Sequence, residues 1–262
     1  MRFDLERLDL RLRRRMVIGT AVGAALYLLV IVALYPSFKD DTSLDEMLSS
    51  NSAMSAMVGI SGSITSPEGW LNANMYANIG PLLVLLLTIG YGAASVAGQD
   101  ADGSLGVIAT LPISRRNLLA HKLIALFVAA AVVPLASVAI CLLGPLFELT
   151  PDWSALLGVT LTTTLLGFLF GALAMSIGAA TGKRGMALGI ASGVAAAAYL
   201  ISSLASVVDL VHKIRWISPF YWSVGNNQIV DGIDMTGVIA LIAAAAALSI
   251  AAIAAFERLD IH

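Results

Sequence analysis

The stretch Ala97–Lys122, AGQDADGSLGVIATLPISRRNLLAHK, stands between two long apolar runs and is dense in charged and helix-breaking residues. Asp100 and Asp102 precede Gly103, Pro112 opens a new turn, and Arg115, Arg116 and Lys122 close the stretch. Asp100 is a candidate N-cap, because its carboxylate can accept from the free N–H groups of a first turn, and Ser104–Thr110 can then form a short helix along a membrane surface. Ser114 is a second candidate cap, leading Arg115 into the next helix. A bare connector needs about five residues. This one has room for a small platform. The plainer reading is a polar hairpin that reverses the chain, and spacing alone does not choose between the two.

The flanking runs set the class of protein. Of the 262 residues, 58% are hydrophobic and only 12% charged, against about 25% charged in a soluble domain. No charged residue occurs in Met16–Phe38, Gly69–Gln99, Leu123–Phe147, Trp153–Gly182, Met186–Val208 or Met235–Phe256. Each run reaches the ~20 apolar residues that cross a bilayer as a helix with its backbone bonded internally. The expectation is an all-α membrane protein with six transmembrane helices, forming a single transmembrane domain over residues 1–262. The spans fall at about 16–35, 75–96, 121–143, 155–178, 186–206 and 237–256.

Lysine and arginine orient it. With the N-terminus inside, twelve lie on the cytoplasmic side and only Lys39, Lys213 and Arg215 lie outside. Both termini are then cytoplasmic. The net charge of −2 gives no reason to expect nucleic acid as a partner. Met1–Arg15 is not a secretory signal, because the apolar run that follows is too long and lacks a small-residue cleavage site. Cys141 is alone in the sequence, so no intrachain disulfide exists.

In chain order, Phe3, Leu5, Leu8 and Leu12 alternate with Asp4, Glu6, Arg7, Arg11 and Arg14, as in an N-terminal amphipathic helix at the inner interface with arginines reaching phosphate headgroups. The external segment after the first span carries a Ser43–Glu46 capping-box pattern. The segment Ser66-Pro67-Glu68-Gly69-Trp70 reads as a turn beside an interfacial Trp. Asn72, Asn74 and Asn78 at the outer end of the second span either hydrate an external mouth or bond to neighbouring helices. Pro134 in the third span frees a carbonyl and bends the helix, as a hinge or as static shape. The hydroxyls of Thr160, Thr162, Thr163 and Thr164 bond mostly to their own helix. Gly185, Gly189 and Gly193 make a close-packing groove on the fifth span, for a helix of this chain or of a second copy. Val208–Arg215 and the cluster Trp216, Phe220, Tyr221 and Trp222 read as short external helices between the fifth and sixth spans, held by an aromatic belt.

Signals for chemistry are weak. Gly178–Lys183 has the wrong glycine spacing, lacks Ser or Thr after Lys183, and follows no strand, so it is not a phosphate loop. Gly59-Ile60-Ser61-Gly62 is similar to the nucleophile motif of six-span rhomboid proteases. A serine there needs a base within reach, and His121 and His262 lie across the membrane while His212 is in an external loop. No His, Cys or acid cluster has metal-site spacing. No span carries the internal charge that an ion-coupled transporter places in the membrane, so energy for any transport comes from elsewhere.

Together these residues resemble the signature of ABC type-2 permeases, the membrane subunits of ATP-driven exporters. The usual pattern is an acidic pair, a spacer, Gly-Thr-Leu-Glu, an apolar step and Pro-x-Ser-Arg. Here Gln99-Asp100, Gly103-Ser104-Leu105 and Pro112-Ile113-Ser114-Arg115 correspond, and Lys122 falls where the family often has a lysine. Ser218-Pro219-Phe220-Tyr221 is similar to the outer segment before the last span, and Phe256–Ile261 to the closing tail. Gln99 and Gly106 each replace a usual acid, and Leu259 stands where a second basic residue is common. Those departures bear on the charges of partner docking.

The resemblance covers essentially the whole chain. It implies a six-span half-transporter in the cell membrane (in bacteria the inner or cytoplasmic membrane) that exports a substrate and is not itself an enzyme. It further implies pairing with a second permease copy or a homologous permease, and with two copies of an ABC ATPase subunit that carries ATP and Mg; no cofactor and no metal is expected on this chain. The cytoplasmic coupling helix lies between spans two and three. Its docking residues are Asp100, Asp102, Gly103, Ser104, Leu105, Ile108, Leu111, Pro112, Arg115 and Arg116, with Leu105, Val107, Ile108 and Leu111 as the apolar anchor. Asn78, Thr88 and Ser192 are the pathway residues that follow from the same resemblance. The uncharged spans favour an apolar or amphipathic substrate. The alternative from another class is a non-transporting six-span protein, either a scaffold or a rhomboid-like intramembrane protease.

Overall fold

Each uncharged run forms a helix long and apolar enough to cross a bilayer in the computed structural model, which describes residues 9–41, 43, 63–109, 113–205, 208–225 and 228–259. The six spans are α1 (Arg14–Phe38), α2 (Pro67–Ala101), α4 (Arg115–Cys141), α5 (Trp153–Thr181), α6 (Arg184–Leu204) and α7 (Met235–Glu257). A short helix α3 (Ser104–Ala109) lies between α2 and α4. No strand occurs among the described residues. Residues 9–12, ahead of α1, are helical, while Phe3, Leu5 and Leu8 and the Ser43–Glu46 pattern lie wholly or partly outside the described residues.

Side-chain caps set several starts. Ser66, Ser114, Asp152 and Asp234 each accept a hydrogen bond from a first-turn N–H of α2, α4, α5 and α7, satisfying donors that have no partner inside the helix. Gly182 ends α5 at φ +64°, a left-handed conformation that glycine adopts without penalty, and α6 starts two residues later.

Ser66–Trp70 is therefore a helix start and not a free turn, and it runs on into the second span. Trp70 is buried, stacked on Phe38 at 5.3 Å between ring centroids, and its indole N–H donates to the Ile31 carbonyl at 3.0 Å. That contact holds the Phe38 end of α1 to the Pro67 end of α2. α1 passes through Pro36 to Phe38; so near a helix end, the missing N–H removes a single bond. α4 continues through Pro134 as well.

The spans differ in burial. In α5 and α2, 78% and 67% of the apolar stretch is buried inside the protein; in α1, α6 and α7 the shares are 28%, 22% and 22%. α2 and α5 form the central pair, and glycine lets them meet backbone to backbone. A Cβ on Gly92 would lie 2.2 Å from the Gly171 carbonyl oxygen, and one on Gly167 would lie 2.2 Å from Val84 Cγ1. Small residues allow this close approach, which dispersion and packing reward in lipid. Gly185, Gly189 and Gly193 behave differently: a Cβ on any of them would meet nothing within 4 Å, because that stripe of α6 faces away from the bundle.

Within the core, the Thr160 and Thr164 hydroxyls donate to Leu156 and Thr160 carbonyls of their own helix, while Thr162 also reaches the Ser223 carbonyl at 3.1 Å. Asn78 accepts from the Tyr199 hydroxyl at 2.6 Å, and Asn74 donates to the Trp70 carbonyl at 2.9 Å. These two amides bond to protein. Short helical turns at Asp209–His212 and Arg215–Ile217 leave Leu210, Trp216 and Ile217 exposed, the arrangement of an interfacial segment. Arg215 stacks over the Tyr221 ring at 4.7 Å, and Trp222 donates to the Trp216 carbonyl.

Candidate functional site

α2 ends in a wide π turn, Ala94–Gly98, followed by one helical step, Gln99–Ala101. The chain then reverses at Asp102-Gly103. Gly103 has φ +74°, where any Cβ would be strained. The Asp102 carboxylate accepts from the Ser104 N–H at 3.0 Å and the Ser104 hydroxyl at 2.5 Å, starting α3. These bonds hold the Asp102 carboxyl below the usual carboxylate range, so it stays anionic at neutral pH. Asp102 thus holds the turn that leads into α3.

The result is a small protruding tip. Ala101, Asp102 and Gly103 are exposed, Asp100, Ser104 and Gly106 are half-buried, and Leu105 is fully buried in the chain's own hydrophobic core. Ile108 lies in α3, while Leu111 and Pro112 fall outside the described residues. Beside the tip, Asp100, Thr181, Lys183 and Arg258 line a depression of about 610 Å³. Arg115 and Arg116, at the start of α4, reach the end of α7 and the residues just after it. The Arg115 guanidinium donates to the Leu259 carbonyl at 2.7 Å, and Arg116 pairs with the Glu257 carboxylate. Both tie the start of α4 to the end of α7.

Beneath the tip lies a buried polar cluster. Asp9 Oδ1 accepts from Arg13 Nη1 at 3.0 Å, Gln99 Nε2 at 3.1 Å and Lys122 Nζ at 3.3 Å, and its Oδ2 accepts from the Tyr91 hydroxyl at 2.6 Å. Lys122 also donates to the Ser95 carbonyl at 2.8 Å and to Gln99 Oε1. Arg13 lies over the Tyr91 ring, 4.9 Å from its centroid. The side chains of Asp9 and Lys122 are 5% and 4% exposed. Burial by itself would raise the Asp9 carboxyl, but the Lys122 and Arg13 charges and the Tyr91 hydrogen bond outweigh it and hold Asp9 below the usual range. Removing one partner of such a pair strands a charge in low dielectric, at a cost of about 3–5 kcal/mol.

Farther along the bundle, an apolar cleft of about 730 Å³ opens between α1, α2 and α6, lined by Met16, Leu85, Ile89, Ser192, Tyr199 and Phe220 among others. Ser192 is on its wall, and Asn78 reaches it through the Tyr199 hydroxyl. Thr88 is fully buried on another face, against Gly167 and Gly171 of α5. The structure therefore brings Ser192 and Asn78 to one cleft and holds Thr88 apart.

Asp9 and Tyr91 carry no signal of their own in the sequence. The readable clue is Lys122, two helical turns past Arg115 beside an apolar run, because an ammonium buried there requires an acid. Which acid answers it depends on a contact 113 residues away.

No group of three or more His, Cys, Asp or Glu side chains among the described residues could hold a metal ion. A comparison with curated proteins yields no match. The model of the family described as ABC-2 family transporter protein matches residues 5–261. With six membrane-spanning helices and a family match over nearly its whole length, the chain belongs to the ABC-2 transporter family and is a permease, the membrane subunit of an ABC transporter.

Proposed function

We propose that this permease exports an apolar or amphipathic substrate, driven by ATP that a separate ABC ATPase binds with Mg and hydrolyses. The observation that carries the reading is the tip at Ala101–Gly103: an exposed, anionic reversal between two spans, held by the Asp102–Ser104 bonds and seated on a buried ionic cluster. A plain connector needs none of this. The working transporter pairs two permeases, identical or homologous, with two ATPase subunits. The open glycine stripe Gly185, Gly189 and Gly193 suits close approach of the second permease. The test is purification of the full chain with the ABC ATPase produced beside it: a stable complex that hydrolyses ATP and moves substrate outward is expected, and no complex would end the reading.

The lysine and arginine distribution supports a cytoplasmic tip and cytoplasmic termini. A cysteine at Ser50 is expected to react with an impermeant thiol reagent added outside intact cells, and one at Asn117 is not. Reversed labelling would refute this orientation.

The apolar cleft supplies the substrate path in this reading. Ser192→Trp fills part of it from an exposed wall. Substrate transport is expected to fall about tenfold, the effect of losing roughly 1.4 kcal/mol of binding, with complex formation unchanged. Unaltered transport would place the path elsewhere.

A further inference from the structure

Asp9 accepts hydrogen bonds from Arg13, ahead of α1, from Tyr91 and Gln99 on α2, and from Lys122 on α4. Gln99 is the centre of this set. Its amide N–H donates to Asp9 and its carbonyl accepts from Lys122. It is also the residue from which the tip rises, since Ala101 and Asp102 follow within three positions. Just before it, α2 passes through the π turn Ala94–Gly98, a local departure from helix geometry where a span can flex. Lys122 bridges that turn as well, through the Ser95 carbonyl. An apolar contact could slide when the tip moves. Charge-assisted bonds in a buried site are directional and costly to break.

We propose that Asp9, Gln99 and Lys122 are positioning residues of energy coupling, clamping the root of the tip so that its displacement reaches α4 and the helix ahead of α1 together instead of being absorbed in the π turn of α2. This rests on the docking reading given under Proposed function. The cluster acts through geometry and touches neither ATP nor substrate.

The test uses the full chain in complex with its co-purifying ABC ATPase, and compares MgATP hydrolysis by the complex with hydrolysis by the isolated ATPase. Three variants serve: Asp9→Asn, Gln99→Leu and Gln99→Glu. The first two remove the buried acceptor charge and the bridging amide. The third keeps a group that accepts from Lys122 but gives up the donor to Asp9, whose carboxylate is still held by Arg13, Tyr91 and Lys122; Arg13 and Lys122 balance the added charge. Asp9→Asn and Gln99→Leu are expected still to bind the ATPase, because the exposed residues of the tip are unchanged, and hydrolysis is read per complex recovered. The change in hydrolysis that the permease imposes is expected to shrink at least about tenfold, the effect of one buried charged bond left unmade. Gln99→Glu is expected to retain most of that change. Normal coupling in Asp9→Asn and Gln99→Leu overturns the proposal alone. So does a loss that only tracks a fall in complex yield, or a Gln99→Glu variant as uncoupled as Gln99→Leu, because the cluster is then scaffold. Failure of the unaltered chain to bind any ABC ATPase overturns the docking reading, and this proposal with it.

Discussion

Gly92→Leu is expected to abolish the folded bundle. A Cβ at position 92 would sit 2.2 Å from the Gly171 carbonyl oxygen and 3.2 Å from the Met175 backbone nitrogen. Both atoms belong to the backbone of α5, so no rotamer change relieves the clash. α2 and α5 must separate along the most buried seam of the molecule. Overpacking usually costs about 1–3 kcal/mol, and a leucine wedged between two backbones lies at or above the top of that range. The measurement is the yield of monodisperse protein after mild detergent extraction. Gly189→Leu is the matched control, since a Cβ there meets nothing within 4 Å; the subunit is expected to keep its fold. Equal yields of the two variants would show that α2 and α5 do not meet as described.

The second large effect is expected at the tip. Ala101→Trp changes an exposed residue of the reversal and leaves its support alone, while Asp102→Arg removes both the negative charge and the bonds that Asp102 accepts from Ser104. If the ATPase seats on this tip, a bulky ring at 101 blocks the approach and a reversed charge at 102 disrupts its electrostatic match. Residues at the centre of an interface cost about 2–4 kcal/mol when altered, which is roughly 30-fold to 1,000-fold in affinity. The permease is expected to extract and elute normally while co-purification of the ATPase collapses. Full recovery of the complex from both variants would remove the tip from the interface. Leu105→Asp is unsuitable as a probe of docking. Leu105 is fully buried in the chain's own core, and a carboxylate there would disrupt the fold, because an isolated buried charge finds no solvation. Its expected phenotype is low yield of the permease itself.

Much of this protein is legible one residue type at a time. Six uncharged runs dictate six spans, because a backbone in hydrocarbon must bond to itself and only a helix does so locally. Ser114 as a cap, the helix after Ser104 and the self-bonded Thr160 and Thr164 all follow from chemistry acting within a few residues. So does the family, since its motifs are short and ordered along the chain. What depends on distant segments is not legible in this way. Leu105 has the composition of a surface anchor and is instead core. Arg115 and Arg116 have the look of a charged rim; they stay exposed and also hold the end of α7, a contact no local pattern announces. Gly92 and Gly189 are the same residue on equally apolar helices, yet one touches a neighbouring backbone and the other faces open space. The Asp9–Gln99–Lys122 cluster joins three segments that are far apart in sequence. Local hydrogen bonding and hydropathy act over one or two helical turns, so they write helices and caps directly into the sequence. Which face of each helix is covered, and which charge answers which, is decided only when the helices pack.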